Sequence, residues 1–169
     1  DDPLETYTTN VIGTLNLFEA VRKTDKTRVI INVTSDKCYD NRGLNVPFKE
    51  SDPMGGYDPY SSSKGCSEIM TSSFRNSFFN PKQYQKHKVA LASARAGNVI
   101  GGGDWAEFRL VPDLIKGIQN KKIVKIRNQN YSRPWQFVLE PLNGYLMLAQ
   151  ELWKEGPEFS QAWNFGPLE

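Results

Sequence analysis

The run RVIINVTS, from Arg28 to Ser35, narrows the folds open to this chain more than any other stretch. Its β-branched, apolar character predicts a strand covered on both faces, as in a parallel sheet, and not the alternation of a half-solvated antiparallel strand. Before it, Val11, Ile12, Leu15, Phe18 and Val21 recur at three- and four-residue steps, so an amphipathic helix is expected from about Thr9 to Lys23. A long polar loop follows, punctuated by Asn41, Gly43, Pro47, Pro53 and Gly55-Gly56. A helix is then expected from about Pro59 to Phe79, and KVALASARAGNVI supplies a second buried strand. Beyond Gly101–Gly103, LVPDLIKGIQ reads as a short helix, IVKI as a third strand, PLNGYLMLAQELW as a helix and AWNFG as a final short strand. Strands separated by helices, without tight hairpin signals, predict an α/β fold with a doubly wound parallel sheet.

Composition removes several function classes. With 38% hydrophobic and 24% charged residues in 169, the chain has the make-up of a globular protein with a sizeable core. A net charge of +2 is too small to point to nucleic acid or an anionic membrane, and the lysines between Asn120 and Lys125 read as a solvated turn before a strand. Cys38, Cys66 and the single His87 lack disulfide-framework or zinc spacing, so no metal and a reducing, cytoplasmic setting are expected. Neither an export signal nor a long apolar run is visible. The chain opens on DDPLETYTTN and stops two residues after WNFGP, which reads as a piece of a longer protein.

SDPMGGYDPYSSSKGCSEIM holds Tyr60 four residues ahead of Lys64. Spacing alone decides nothing, because Tyr84 and Lys88 repeat it in YQKHK without any accompanying signal. Context separates the two pairs. Tyr60 and Lys64 lie early on a predicted helix, where residues four apart share a face, and a nearby cation favours the phenolate that can take a proton from a sugar hydroxyl. About twenty-five residues earlier, TSDKCY stands at the carboxyl end of the first predicted strand, the edge at which open α/β sheets bind ligands. Ser35, Asp36 and Lys37 thus join Tyr60 and Lys64 as candidate catalytic residues. Taken alone, TSDK also suits a strand-end turn whose Ser and Asp satisfy backbone groups.

VTSDKCY, YDPYSSSK, SARAGNVIGGGDW, RLVPDLI, RPWQFVLEPLNGY and WNFGP, in this order, resemble the extended short-chain dehydrogenase/reductase superfamily. More closely, they are similar to its CDP-glucose 4,6-dehydratases, and the resemblance covers essentially the whole chain. It implies a Rossmann-like fold, a tightly held NAD, and CDP-glucose as substrate. By that resemblance, carbon 4 of the glucosyl ring is oxidised while Tyr60 accepts the hydroxyl proton, water is eliminated across carbons 5 and 6, and the hydride returns to carbon 6. Lys64 would bind the nicotinamide ribose and tune Tyr60, Ser35 would hydrogen-bond the 4-hydroxyl, and Asp36 would protonate the leaving 6-hydroxyl. Related dTDP-glucose dehydratases carry glutamate where this chain has Lys37. The lysine either takes the carbon 5 proton, the reading adopted here, or stabilises an enolate while another group takes it.

The resemblance also places Asn98 beside the sugar diphosphate, Arg109 over the nucleotide, Arg133 as a phosphate clamp and Asn164 on the nucleotide side, guanidinium groups being suited to such clamps. Phe137 stands where the family pattern suggests histidine, a change expected to alter packing near the clamp. GGGDWA matches a dinucleotide fingerprint, yet no acidic residue stands about twenty positions on and Pro112 implies a late helix start, so it reads as a loop closing over substrate. The Gly-rich turn that would place the pyrophosphate at a helix N-terminus is not in this sequence. The expected organisation is a partial NAD-binding domain over residues 1–100 and 135–169, with residues 101–134 forming part of a substrate lobe. RVIINVTS would lack a strand neighbour, leaving an apolar edge, and the chain alone is expected to turn over weakly or not at all. A homodimer through the tyrosine-bearing helix is expected from the resemblance. Two alternatives stay open: another nucleotide-sugar epimerase or reductase of the superfamily, and a non-catalytic nucleotide-sugar-binding fragment.

Overall fold

The computed structural model describes residues 2–41, 43, 46–126, 129–130 and 132–167. Helix α1 (Pro3–Tyr7) starts where the Asp2 carboxylate accepts from the backbone N–H groups of Leu4 and Glu5, with proline at its first position. It runs through a π-helical stretch, Thr8–Gly13, into α2 (Thr14–Arg22). The helix therefore begins earlier than periodicity suggested, because its first turn is set by the aspartate cap and carries little apolar signal. Strand β1 (Val29–Val33) leads to a 3-10 turn, Asp36–Cys38, and a long loop pinned by a bridge between Tyr39 and Met54. Helix α3 (Pro59–Ser77) begins on an Asp58 cap. Helix α4 (Tyr84–His87) precedes β2 (Ala90–Ala96) and the short β3 (Val99–Ile100). Then come α5 (Leu110–Gln119), β4 (Gln136–Phe137), α6 (Leu139–Glu155) and β5 (Ala162–Phe165).

Strands β1, β2 and β5 form a parallel three-stranded sheet in that order, and β3 pairs with β4 in a separate parallel ladder. Side chains of successive strand residues point to opposite faces, so each face of the sheet acquires its own core. Ile30 and Leu91 pack with Phe18, Val21, Phe74, Phe79 and Val89 beneath α2 and α3. Ala90 and Ala92 pack with Leu148 and Leu152 of α6, joined by Val29, Ile31, Trp163 and Phe165. Helices cover both faces, which is the doubly wound arrangement expected.

Two expectations are corrected. IVKI is not a strand: residues 122–126 are irregular, and Ile123 is fully exposed. Val124 instead packs on α5, where a Cβ at Gly117 would lie only 2.0 Å from its Cγ2. Strand β1 is also less buried than its composition suggested, with Ile30 buried and Val33 46% exposed. It has β2 on one side and no strand on the other among the described residues, whereas β2 lies between two neighbours and is buried along nearly its whole length.

Helix α3 approaches the loop before it unusually closely. A Cβ at Gly65 would sit 2.6 Å from the Gly55 carbonyl oxygen and 3.3 Å from that of Cys38. Gly65→Ala must displace backbone, so the substitution is expected to cost about 1–3 kcal/mol as an overpacked contact. Urea unfolding of the full-length protein checks this as a lower midpoint at unchanged slope.

Candidate active site

Because the sheet is parallel, the carboxyl ends of β1, β2 and β5 converge on one edge. The turn after β1 supplies Ser35, Asp36 and Lys37. Ser35 donates from its hydroxyl to Asp36 Oδ1 at 3.1 Å and accepts from the Lys37 backbone N–H at 3.3 Å, which curls the chain into the 3-10 turn. The second carboxylate oxygen of Asp36 faces the segment after β2, lying 3.3 Å from where a Cβ of Gly97 would be. Pro134 closes over the same glycine, with its Cγ 2.6 Å from that position. A side chain at residue 97 would therefore separate the three segments. Asn98 follows Gly97 directly, and its carbonyl accepts from the Gln136 N–H at 3.0 Å.

Tyr60 and Lys64 reach this edge from the first turns of α3. Asp58 accepts from the Ser61 N–H at 3.0 Å and from its hydroxyl at 2.6 Å, and the hydroxyl bond is the main reason its carboxyl lies below the ordinary range. Two ammonium groups lie over the Tyr60 ring: Lys37 Nζ and Lys64 Nζ are each 5.9 Å from its centroid. Lys64 is partly buried, and burial pulls its pKa below that of a free lysine. It has no hydrogen-bond or ion-pair partner among the described residues, so its donors are free to meet a ligand.

Asp36 titrates high. Burial pushes its carboxyl above the ordinary range, against the Ser35 hydroxyl, the charges of Lys37 and Arg133 and the Lys37 backbone N–H, all of which pull it down. The folded protein thus holds this proton to higher pH than the unfolded chain does, so Asp36 withdraws stability as pH rises through the carboxylate range. Asp36→Asn is accordingly expected to raise the melting midpoint at pH 7 by roughly a degree or two. The gain should disappear at pH values below the ordinary aspartate pKa, which melts across a pH series would reveal.

The structure thus gathers Ser35, Asp36, Lys37, Tyr60 and Lys64, with Asn98 and Arg133 at the border, the charge of Arg133 being felt by Asp36. It does not gather Arg109 or Asn164. Arg109 is exposed and pairs with Asp104 at 3.4 Å in the loop before α5. Both ends of the Asn164 amide are engaged internally: Oδ1 accepts from the Tyr39 hydroxyl at 2.6 Å and Nδ2 donates to the Phe48 carbonyl at 3.0 Å. The GGGDWA stretch is an exposed loop, and α5 begins only at Leu110. Phe137 lies exposed on β4, paired with Ile100.

Sequence reasoning missed the buried polar centre behind the turn. Glu68, on α3 one turn after Lys64, accepts from Arg95 at 2.7 Å, from the Ser93 hydroxyl at 2.8 Å and from the Thr34 hydroxyl. Burial alone would lower the Arg95 pKa, but the hydrogen bonds and charge of Glu68 outweigh it and hold the guanidinium above its usual value. Arg95 also donates to the Tyr39 hydroxyl at 2.7 Å, and Tyr39 stacks on Phe48 with ring centroids 4.6 Å apart. Cys38 is sealed beside them, its thiol pushed up to about 12 by burial, so it stays protonated. The signal available in sequence was Arg95 itself, a charge within an apolar strand run that requires a buried partner.

Among the described residues no group of histidine, cysteine, aspartate and glutamate forms a metal site, and no helix is long and apolar enough to cross a membrane. The fold is that of Rossmann-like dehydratases and epimerases. The chain belongs to the GDP-mannose 4,6 dehydratase family, whose profile matches residues 1–156. It is 58% identical over 167 residues to CDP-glucose 4,6-dehydratase of Salmonella typhimurium, covering 99% of this chain and 46% of that protein. It is 28% identical over 140 residues to dTDP-glucose 4,6-dehydratase of Xanthomonas campestris, covering 77% of this chain and 37% of that protein. Among solved structures, dTDP-glucose 4,6-dehydratase of Bacillus anthracis in complex with NAD superimposes with a TM-score of 0.76 at 24% identity, covering 99% of this chain and 49% of that one. A UDP-galactose 4-epimerase superimposes with a TM-score of 0.79 at 19% identity, covering 100% of this chain and 52% of that one. The chain therefore spans about half the length of these relatives.

Proposed function

We propose that the full-length protein is a nucleotide-sugar 4,6-dehydratase that uses NAD to convert CDP-glucose to CDP-4-keto-6-deoxyglucose. The observation that carries this reading is the placement of the Lys37 and Lys64 ammonium groups over the Tyr60 ring, with Lys37 next in the chain to Asp36, whose carboxyl burial pushes above its ordinary range. The preference for CDP-glucose rests on the likeness to the Salmonella dehydratase.

NAD, when bound, supplies a hydride acceptor and donor that ends the cycle unchanged. The free ammonium donors of Lys64 suit the ribose hydroxyls of such a cofactor. Tyr60, open to solvent at 44% exposure, takes the proton of the sugar 4-hydroxyl, and Ser35 donates a hydrogen bond to the same oxygen. Asp36 gives its proton to the departing 6-hydroxyl, a task for which a raised pKa is an advantage. Lys37 takes the carbon 5 proton as the neutral amine, becoming the ammonium, or, already an ammonium, stabilises the enolate formed there while another group takes the proton. Asn98 and Arg133 bind the diphosphate, and residues 101–134, with Arg109, form part of the lobe over the nucleotide. Asn164 keeps its internal bonds and supports that side of the site indirectly.

The outer edge of β1 and the exposed Leu139, Leu142, Leu146, Met147 and Trp153 of α6 are where further strands and helices of a longer protein would pack. Leu4, Ile12, Leu17, Ile69 and Phe78, exposed on α1 to α3, form the face through which two copies would associate. Incubating the full-length protein with NAD and, separately, CDP-glucose, dTDP-glucose and GDP-mannose tests the reading by mass spectrometry. Loss of one water from CDP-glucose is expected. A product of unchanged mass with an inverted 4-hydroxyl would show an epimerase, and binding without turnover would show a non-catalytic module; either overturns the proposal.

A further inference from the structure

The Ser35–Asp36–Lys37 turn is gripped from both ends by one buried network. In front of it, Thr34 donates from its side chain to Glu68, while its backbone N–H is already bonded to the Ala94 carbonyl at 2.8 Å. Behind it, Tyr39 accepts from Arg95 at 2.7 Å and donates to Asn164 at 2.6 Å. Thr34, Tyr39, Glu68 and Arg95 are all buried, and Glu68 and Arg95 are paired at 2.7 Å. The carboxylate at the centre of this network sits on α3, the same helix that carries Tyr60 and Lys64. Glu68 thus connects the two halves of the site: its helix presents the tyrosine, and its side chain holds the root of the turn that presents the aspartate.

We propose that Thr34 is a positioning residue, setting through its hydroxyl bond to Glu68 the angle of the Ser35–Lys37 turn against Tyr60 and Lys64. The proposal rests on the dehydratase reading given above. The fold does not depend on this one bond, because β1 is joined to α3 independently: Asn32 Nδ2 donates to the Ser67 hydroxyl at 3.0 Å and to the Thr71 hydroxyl at 2.8 Å. Glu68 Oε2 keeps Ser93 and Arg95 when the Thr34 hydroxyl is absent, while Oε1 loses the Thr34 donor. The bond ties the residue that leads into the turn, whose backbone is held to the Ala94 carbonyl, directly to α3. A misplacement of about 1 Å at reacting groups can cost on the order of a hundredfold in rate.

Thr34→Val in the full-length protein removes the hydroxyl at nearly constant shape. Its kcat for dehydration is expected to fall by about tenfold to a hundredfold, with KM changed by less than about twofold and the melting midpoint lowered by a few degrees, the cost of one hydrogen bond to a buried carboxylate. Thr34→Ser should restore kcat. Combined with Ser35→Ala, the losses should be less than additive, since both act through the same turn. A crystal structure of Thr34→Val should show the Asp36 carboxylate displaced from Gly97 while β1, β2 and α3 superimpose. An unchanged kcat, a Thr34→Ser variant as impaired as Thr34→Val, or an undisplaced turn overturns the proposal. If the wild-type protein forms no dehydrated product, the functional reading fails, and the crystal structure still decides whether Thr34 sets the turn. Should Thr34→Val not fold, Tyr39→Phe tests the grip from the other end, with the same expectations for kcat and KM.

Discussion

Tyr60→Phe in the full-length protein is expected to lower the rate of dehydration by about two to four orders of magnitude, the range usual for loss of a positioned proton acceptor. The ring and its contacts remain, because Lys37 and Lys64 lie over the ring itself. Binding of CDP-glucose and the melting midpoint should therefore stay close to wild type. On the proposed reading, the substituted site keeps Asp36 and Lys37 but lacks the group that would start the reaction, so no 4-keto sugar should form and no acidic carbon 5 proton should appear. Supplying a 4-keto sugar nucleotide to the variant separates the steps: proton exchange at carbon 5 should persist at a substantial fraction of the wild-type rate. Steady-state kinetics together with deuterium uptake from heavy water measure both. Retention of more than about a tenth of wild-type turnover would remove Tyr60 from the acceptor role, since a phenyl ring cannot accept a proton.

Much of this arrangement is legible in the sequence, and the parts that are not share a cause. RVIINVTS and KVALASARAGNVI announce themselves as strands because covered strands are made of continuous apolar residues. The TSDK turn and the tyrosine-bearing helix were readable because a strand end and a helix start sit at positions the alternation of elements already fixes. Helix α3 was placed correctly even though much of its buried face is small or polar: Ser61, Ser63, Gly65, Ser67, Glu68 and Thr71 all lie inside. That face pairs with the Asn32 amide and the Thr34 hydroxyl, contacts that no periodicity of apolar residues encodes. The β3–β4 ladder escaped notice because two-residue strands carry almost no pattern. IVKI misled for the opposite reason: its composition is strand-like, but no partner strand lies beside it among the described residues. The resemblance points to Asn164 as a nucleotide-side contact, and its bonds to Tyr39 and Phe48, more than a hundred residues away in the chain, carry no signal in the sequence.

Glu68→Ala is expected to be the most destabilising single substitution at the site, by about 3–5 kcal/mol, the usual consequence of removing one partner of a buried ion pair. Arg95 would remain 6% exposed with its counter-charge gone. A second guanidinium makes matters worse. Burial already pulls the Arg75 pKa down, Glu68 opposes that pull and Arg95 adds to it, so without Glu68 the repulsion between the two guanidinium groups is no longer offset by that carboxylate. Their Nε atoms have no hydrogen-bond partner among the described residues even with the glutamate present. A cavity of about 560 Å³ between α3 and the loop at Glu50–Met54 is lined by Glu68, Arg75 and Arg95, and water entering it would relax part of the penalty. The loss should therefore fall toward the lower end of the range. Replacing both members, Glu68→Met with Arg95→Met, removes the stranded charge and is expected to be less destabilising than Glu68→Ala alone. Urea unfolding of the three variants distinguishes the accounts. If the double variant is at least as unstable as Glu68→Ala, the network holds the fold by its hydrogen bonds to Thr34, Ser93 and Tyr39, and charge compensation is the lesser part.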